Sequence, residues 1–174
     1  AFIATDDIFY MIDGDRAACL DAETGKEVGE IRFPGATEKW EWMAMSDGRL
    51  YVLSGAGSRV PTQKALNTYD AWDWNQIRDP EYVKPGVPVS GGNTITAWDL
   101  KAKKVLWKHW EQTPIDSRGM AVGGGKVFFY GPEMSVGCLD AQYGNVLWRC
   151  TDEKIAPLIE QIGRAFIMSK KAAS

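Results

Sequence analysis

Apolar residues along this chain fall in short runs, and turn-forming residues separate the runs. Three pairs of runs each enclose a turn rich in aspartate or glycine: Asp13-Gly14-Asp15, Ser46-Asp47-Gly48 and Gly123–Gly125. Aspartate and glycine tolerate the backbone angles of tight hairpin turns, and glycine adopts positive φ without steric cost. The pattern therefore predicts an all-β chain built from successive antiparallel hairpins.

A second type of segment follows each hairpin and repeats through the chain. The three copies run from Cys19 to Gly29, from Ala97 to Trp107 and from Cys138 to Trp148. Each has a small residue, an aspartate two positions later, a turn, and then an apolar pair. The aspartates of the last two copies are 41 residues apart, and the first two are separated by 78, close to twice that interval. A period of about 40 residues with four short strands per unit is typical of a β-propeller blade.

The repeated residues have clear structural roles. Each aspartate ends a strand, where its carboxylate can accept hydrogen bonds from backbone N–H groups of the following turn. The glycines supply positive φ, and the tryptophans are placed to pack between neighbouring blades while the indole N–H finds a carbonyl. We interpret these residues as a structural motif: Asp21, Gly25, Asp99, Trp107, Asp140, Gly144 and Trp148.

The period divides the chain into blades of one propeller. We predict four-stranded antiparallel blades at about 1–35, about 40–110 with an insertion at 55–92, and about 116–151. A half blade follows at about 155–169, with strands at Ala156–Ile159 and Arg164–Met168. The next motif aspartate would fall near position 181, so the chain is expected to hold about three and a half blades.

The three segments resemble the tryptophan-docking repeat of pyrroloquinoline-quinone (PQQ) type propellers, whose pattern is Ala-x-Asp-x-x-Thr-Gly-x-x-x-Trp. The first copy has Gly29 where the pattern has tryptophan, and the second lacks the glycine. The resemblance covers nearly the whole chain except 55–92. It is closest to multi-repeat PQQ-like propeller proteins of environmental bacteria whose function is uncharacterised, and it implies a periplasmic or secreted location.

Two alternatives remain beside this interpretation. The resemblance includes PQQ-dependent quinoprotein dehydrogenases, which hold a calcium ion with carboxylate and amide oxygens, so the chain is alternatively a fragment of such an oxidoreductase. A WD-type interaction propeller is the other alternative, because Ile95–Leu100 contains Trp98-Asp99. No Gly-His pair occurs in the sequence, and the tryptophan eight residues after the aspartate is not a WD feature.

Composition excludes several classes of function. The net charge of −3 and the pI near 5.2 give no electrostatic reason to expect nucleic acid as a partner. No stretch approaches the roughly 18 apolar residues that span a bilayer, and the first residues do not resemble a signal peptide. The single histidine is His109, and the three cysteines show no ligand spacing. We therefore expect no metal site, no catalytic residue and no cofactor in this chain, with PQQ and calcium possible only in a longer protein.

The insertion at 55–92 is the best candidate for a binding segment. Long irregular segments inside compact domains are often functional. This one interleaves carboxylates with four aromatic residues, Tyr69, Trp72, Trp74 and Tyr82. An indole can stack on a sugar face while carboxylates accept hydrogen bonds from the hydroxyls, which favours a carbohydrate or protein ligand. The alternative is a segment that packs on itself and covers the blade.

A second group of candidates lies where the innermost strands are expected to begin. Arg118 is expected to start the first strand of blade three, with Asp116 two residues before it, and Trp40 and Trp42 hold the comparable place in blade two. We expect them near the mouth of the central channel, with an Arg–Asp pair between blades as the alternative for Arg118.

These observations predict a non-catalytic binding or scaffold module. Its expected partners are the remaining blades or a second copy of the chain, because an open arc leaves two apolar blade faces uncovered.

Overall fold

The computed structural model describes residues 1–55, 58–60, 89–131 and 135–150, and these form strands, turns and one short 3-10 helix. Blade one contains β1 Phe2–Ala4, β2 Ile8–Asp13, β3 Arg16–Asp21 and β4 Glu27–Arg32. Blade two contains β5 Lys39–Ser46, β6 Arg49–Gly55, β7 Ser58–Val60, β8 Val89–Asp99 and β9 Lys104–Asp116. The 3-10 helix Ser117–Gly119 leads to blade three, with β10 Met120–Gly123, β11 Lys126–Gly131, β12 Ser135–Asp140 and β13 Val146–Cys150.

Every described strand pair is antiparallel. Blades one and three are four-stranded sheets whose strands neighbour one another in chain order. Blade two has the same four strands, β5, β6, β8 and β9, with the short β7 added beside β8. The predicted all-β propeller of four-stranded blades is thus confirmed for three blades. The predicted half blade at 155–169 lies outside the described residues.

The motif aspartates organise the turn between the third and fourth strands of each blade. The Asp21 carboxylate accepts hydrogen bonds from the Thr24 N–H at 2.7 Å and from the Thr24 hydroxyl at 2.6 Å. Asp99 and Asp140 each accept two backbone N–H groups in the same way. Because these bonds favour the ionised carboxylate, the Thr24 hydroxyl lowers the pKa of Asp21 and the Ala102 N–H lowers that of Asp99.

A backbone bond then ties each motif turn to the first hairpin of its own blade. The residue after the aspartate donates its N–H to a hairpin carbonyl: Ala22 to Asp7 at 2.9 Å, Leu100 to Gly48 at 3.2 Å, and Ala141 to Gly125 at 3.0 Å. The bond recurs in all three blades, so each motif turn has a fixed position relative to the inner strands.

Trp107 joins blade two to blade three. Its indole lies on the backbone of Gly144, where an added Cβ would come within 2.5 Å of the ring. The indole N–H donates to the carbonyl of Ala141 at 3.2 Å, and the Tyr51 hydroxyl donates to the same oxygen at 3.1 Å. A buried apolar cluster surrounds this contact, with members from both blades that include Leu53, Ile95, Val127 and Phe129.

Blade one meets blade two through a different aromatic group. Phe33, in the connection between the blades, lies with its ring 4.5 Å from that of Trp40 and 5.3 Å from that of Trp98. Gly29, the position equivalent to Trp107, lies on the exposed strand β4 with open space around it. Phe33 therefore supplies at this junction the apolar area that a docked tryptophan supplies at the next.

Candidate binding face

The insertion enters and leaves blade two at one end of the sheet. There β8 extends past its pairing with β6, and it pairs with β7 on one side and with the end of β9 on the other. The segment 61–88 connects β7 to β8. We call this region the insertion end of blade two, defined by Ser54–Gly55, Ser58–Val60, Val89–Asn93 and Gln112–Asp116. The strands therefore reach into the stretch predicted as a 55–92 insertion, and β9 runs beyond the expected boundary at 110.

Two glycines allow β6 and β8 to approach closely where the extension begins. A Cβ on Gly55 would lie 2.8 Å from the Gly92 Cα, and a Cβ on Gly92 would lie 2.5 Å from the Ser54 carbonyl oxygen. The pairing of β8 with β9 shifts at the next residues, where the Asn93 side-chain amide donates to the Glu111 carbonyl at 2.9 Å. Such an irregularity bends a strand, and β8 remains paired with β9 beyond it, through Gly92 opposite Ile115 and Gly91 opposite Asp116.

Acidic side chains gather at this end of blade two. Glu38 accepts a hydrogen bond from the Ser54 hydroxyl at 3.0 Å, and the mostly buried carboxylate of Glu41 lies 3.4 Å from the Lys39 ammonium. Asp116, at the end of β9, is only 4% exposed. Of these three acids only Glu38 is exposed, and its carboxylate can accept hydrogen bonds from donors such as hydroxyl groups.

The structure places the predicted site residues in three different settings. Asp116 pairs in register with Gly91 at the insertion end, and the backbone of Arg118 lies in the adjoining 3-10 helix. Trp40 is 1% exposed and packs against Phe33, whereas Trp42 is half-buried and packs against the core shared with blade three. The side chain of Arg118 and the four aromatic residues of the insertion, Tyr69, Trp72, Trp74 and Tyr82, lie outside the described residues.

A β-bulge explains why Trp40 and Trp42 pack toward different blades. Residues two apart on a regular strand share a face, so the sequence predicts one location for both tryptophans. In β5 the register shifts between them, with Trp40 opposite Ser54 and Trp42 opposite Leu53. The extra residue, Glu41, sends one indole toward blade one and the other toward blade three.

A buried charge cluster that the sequence analysis did not single out joins blades two and three. The Glu111 carboxylate is 5% exposed, and its Oε1 lies 2.6 Å from His109 Nε2 and 2.5 Å from the Arg149 guanidinium. His109 also packs near the Phe129 ring. The sequence signal was weak because Glu111 and Arg149 belong to the outer strands of different blades. Since a buried carboxylate requires such partners, the cluster ties these strands together.

A metal centre requires several ligand side chains that converge on one point. No group of three or more histidine, cysteine, aspartate or glutamate side chains in this part of the chain is arranged to hold a metal ion. Calcium takes six to eight oxygen ligands.

Within the described ranges, no helix is long and apolar enough to cross a membrane.

Comparison with solved structures shows the same propeller fold at low sequence identity. BamB from Moraxella catarrhalis aligns with a TM-score of 0.53 and 13% identity, over 86% of this chain and 35% of BamB. The computationally designed Ika4 protein aligns with a TM-score of 0.53 and 11% identity, over 86% of this chain and 69% of Ika4. The RRP9 WD40 repeats align with a TM-score of 0.53 and 12% identity, over 87% of this chain and 38% of that protein.

These similarities concern the fold alone. The chain spans about a third of the length of BamB. No protein-family model and no curated protein matches the sequence. The comparisons therefore show the β-propeller fold for this chain and no more specific family.

Proposed function

We propose that this chain is a non-catalytic binding module of a PQQ-like propeller protein, and that its ligand contacts the insertion end of blade two. The observation that carries the proposal is the extension of β8 and β9 past the ordinary blade, with β7 added beside it. A propeller blade needs only four strands. The extra strand β7 and the extended strand β8 carry the two points at which the 61–88 segment joins blade two. Both points lie at the end of the sheet where β9 ends in Asp116.

A neutral sugar chain is the ligand class that best suits this face. The sequence of the 61–88 segment contains Tyr69, Trp72, Trp74 and Tyr82, and Glu38, which is bonded to Ser54, is an exposed acid beside the insertion end. Aromatic rings offer flat apolar surfaces to sugar rings, and carboxylates accept hydrogen bonds from hydroxyls. A protein ligand that uses the same aromatic side chains is the other form of this function.

The assignment to the PQQ-like group is supported by the docking of Trp107. Its indole covers Gly144 and donates to the Ala141 carbonyl, which makes use of both the tryptophan and the glycine of the repeat pattern. By contrast, Trp98 of the WD-like Trp98-Asp99 pair packs toward blade one beside Phe33. We include in the proposal the periplasmic or secreted location that the resemblance implies.

Oligosaccharide titration tests the binding function. Cellohexaose and chitohexaose serve as probes, with isothermal titration calorimetry as the readout. We expect one of them to bind, and the double variant Trp72→Ala/Trp74→Ala to lose at least about tenfold in affinity. The matched control is Trp110→Ala, which removes a 64% exposed tryptophan of β9 outside the insertion. Failure of both probes, or equal affinity in the double variant, would contradict carbohydrate binding.

The oxidoreductase alternative is tested with its cofactor. PQQ and calcium are titrated into the chain while quinone absorbance is followed. The proposal expects no stoichiometric uptake, because no group of three or more histidine, cysteine, aspartate or glutamate side chains in the described residues is arranged to hold the calcium ion. Stoichiometric binding would replace the proposal with the quinoprotein interpretation.

A further inference from the structure

Polar contacts hold blades two and three together at both ends of their junction. At the end that carries the turns after the motif aspartates, which we call the motif-turn end, the Trp107 indole and the Tyr51 hydroxyl both donate to the Ala141 carbonyl. Toward the insertion end, the Arg149 guanidinium donates to the buried Glu111 carboxylate at 2.5 Å. Rotation of blade three on blade two is opposed at both ends, because it would leave buried polar groups unpaired.

In the described residues, the hydrogen bonding between blades one and two is confined to the insertion end. One hydrogen bond joins these blades, from the Trp40 backbone N–H to the Gly14 carbonyl at 2.8 Å. Phe33 lies beside this bond, with its ring 4.5 Å from that of Trp40, where β4 ends and β5 begins. The ion pairs of Arg16 and Arg32 are all formed with carboxylates of blade one itself.

The motif-turn end of this junction lacks the contact that closes the next one. Gly29 stands on β4 where blade two has Trp107, and the turn of blade two that would receive an indole has Lys103 where blade three has glycine. The side chains of blade two at this end, Leu100 and Val105, are only partly buried against the shared core. The junction is therefore held at one end and not at the other.

Apolar packing shows the same difference between the two junctions. Blade three contributes five buried residues to the core that it shares with blade two: Met120, Val127, Phe129, Leu139 and Ala141. From the sheet of blade one, the core shared with blade two has one buried member, Ala17, and several partly buried ones: Ile3, Tyr10, Ile12 and Ile31. Separation of blades one and two therefore exposes less fully buried apolar surface.

We propose that blade one rotates about the insertion end, with Phe33 as the pivot, while blades two and three move as one body. The rotation opens the motif-turn end of the first junction and leaves the second junction closed. The connections between the blades are consistent with this motion. The segment 33–38 is a loop that contains Gly35 with φ 69°, whereas β9 passes into β10 through the 3-10 helix alone. Hinges generally consist of a few such loop residues.

The hinge adjoins the insertion end of blade two. Glu38, the last residue of the 33–38 segment, accepts the hydrogen bond from Ser54. Rotation of blade one therefore takes place beside the face that the proposed function uses. The inference needs no ligand, so it stands independently of that function.

Thiol labelling of the full chain compares the two junctions. Cys19 and Ala97 each lie two residues before a motif aspartate and are buried, Cys19 opposite Tyr10 in the core with blade two and Ala97 in the core with blade three. Native Cys19 and the variant Ala97→Cys are labelled, and mass spectrometry resolves each site. Relative to the denatured chain, Cys19 should react at least about tenfold faster than the thiol at position 97. Equal rates would overturn the proposal.

Amide exchange under the same conditions distinguishes rotation of an intact blade from unfolding of that blade. Rotation leaves β2 and β3 hydrogen-bonded to each other, so the β3 amides should open at least about tenfold less often than Cys19 does. If the amides and Cys19 open equally often, blade one unfolds and the proposed rotation is wrong.

Double electron–electron resonance measures the motion directly. Spin labels are attached, in a cysteine-free background, at the exposed positions two residues after each motif aspartate, through Glu23→Cys, Lys101→Cys and Gln142→Cys. The pair at positions 23 and 101 joins blades one and two and should give a broader distance distribution than the pair at positions 101 and 142. Distributions of the same width would show that blade one is held as firmly as blade three.

Discussion

Lys103 has φ 51° at the turn position where blades one and three have Gly25 and Gly144. A residue with a Cβ pays a steric cost in this left-handed conformation, whereas glycine does not. The substitution is tolerated because Gly29 leaves no tryptophan on blade one to dock there. Blade one lacks the tryptophan at position 29 and blade two lacks the glycine at position 103, and these are the two residues that would contact each other in a junction of the Trp107–Gly144 type.

Lys103→Gly should therefore stabilise the chain. Removal of the left-handed strain outweighs the extra freedom that glycine gives the unfolded chain, so we expect the free energy of unfolding to rise by about 0.5–1 kcal/mol. Urea denaturation measures it. The control Lys101→Gly lies in the same turn without positive φ and should lower stability by a similar amount. Equal effects of the two substitutions would show that strain at Lys103 is negligible.

Single residues also mark where the sequence pattern stops being informative. The motif aspartates and Trp107 have the contacts that their spacing predicts, because hydrogen bonds within a turn and a fixed repeat leave few alternatives. Trp40 and Trp42 do not share a location, because the bulge at Glu41 depends on pairing with β6. A bulge leaves little local signal, so strand alternation alone assigns both residues to one face.

At the scale of the elements, the junction between blades two and three depends on a close contact between a side chain and the backbone. Gly144 combines positive φ with direct contact to Trp107, whereas Gly25 has positive φ and open space. Substitutions at the two positions can therefore be compared: one at Gly25 adds only conformational strain, whereas one at Gly144 adds strain and also displaces the docked indole.

Gly144→Ala should destabilise the chain more than Gly25→Ala. Both substitutions cost about 1–2 kcal/mol for a Cβ at positive φ, and Gly144→Ala adds about 1–3 kcal/mol because Trp107 must move. Thermal or urea unfolding gives both values, and near-ultraviolet circular dichroism reports the displaced indole. Equal losses of stability would mean that Trp107 does not dock on Gly144.

The extension of blade two shows a different limit of sequence reasoning. Hairpins and motif turns are local, so their strands follow from short apolar runs between turn residues. The pairing of β7 with β8, and of β8 with the end of β9, joins residues on both sides of a long insertion. Gly55 and Gly92 make that pairing possible through close backbone approach, but a glycine alone does not identify the strand it will approach.

For the whole molecule, the repeat explains why the architecture was predictable although no protein-family model and no curated protein matches the sequence. Each blade is built from the same local turns. The 41-residue interval between the motif aspartates Asp99 and Asp140 therefore predicts a blade that repeats with the same strand order. The function has no comparable repeat to support it. The proposed function depends on one insertion and on a surface that occurs once, the insertion end of blade two.

Because each blade contacts only its neighbours, a substitution at one junction between blades should lower stability locally. In repeat proteins, stability is approximately a sum over units and the interfaces between them. Gly144→Ala weakens the junction of blades two and three, whereas Phe33→Leu weakens that of blades one and two, where Phe33 contacts Trp40 and Trp98. In hydrogen exchange at monomeric concentrations, the first variant should accelerate exchange in β10–β13 and spare β1–β4.

The second variant should give the reverse pattern, with faster exchange in β1–β4 and little change in blade three. Because the two substitutions perturb opposite ends of the same middle blade, each serves as the control for the other. A uniform acceleration across all three blades in both variants would contradict the expectation. It would mean that the chain opens as one cooperative unit, and that the junctions transmit strain through blade two instead of confining it.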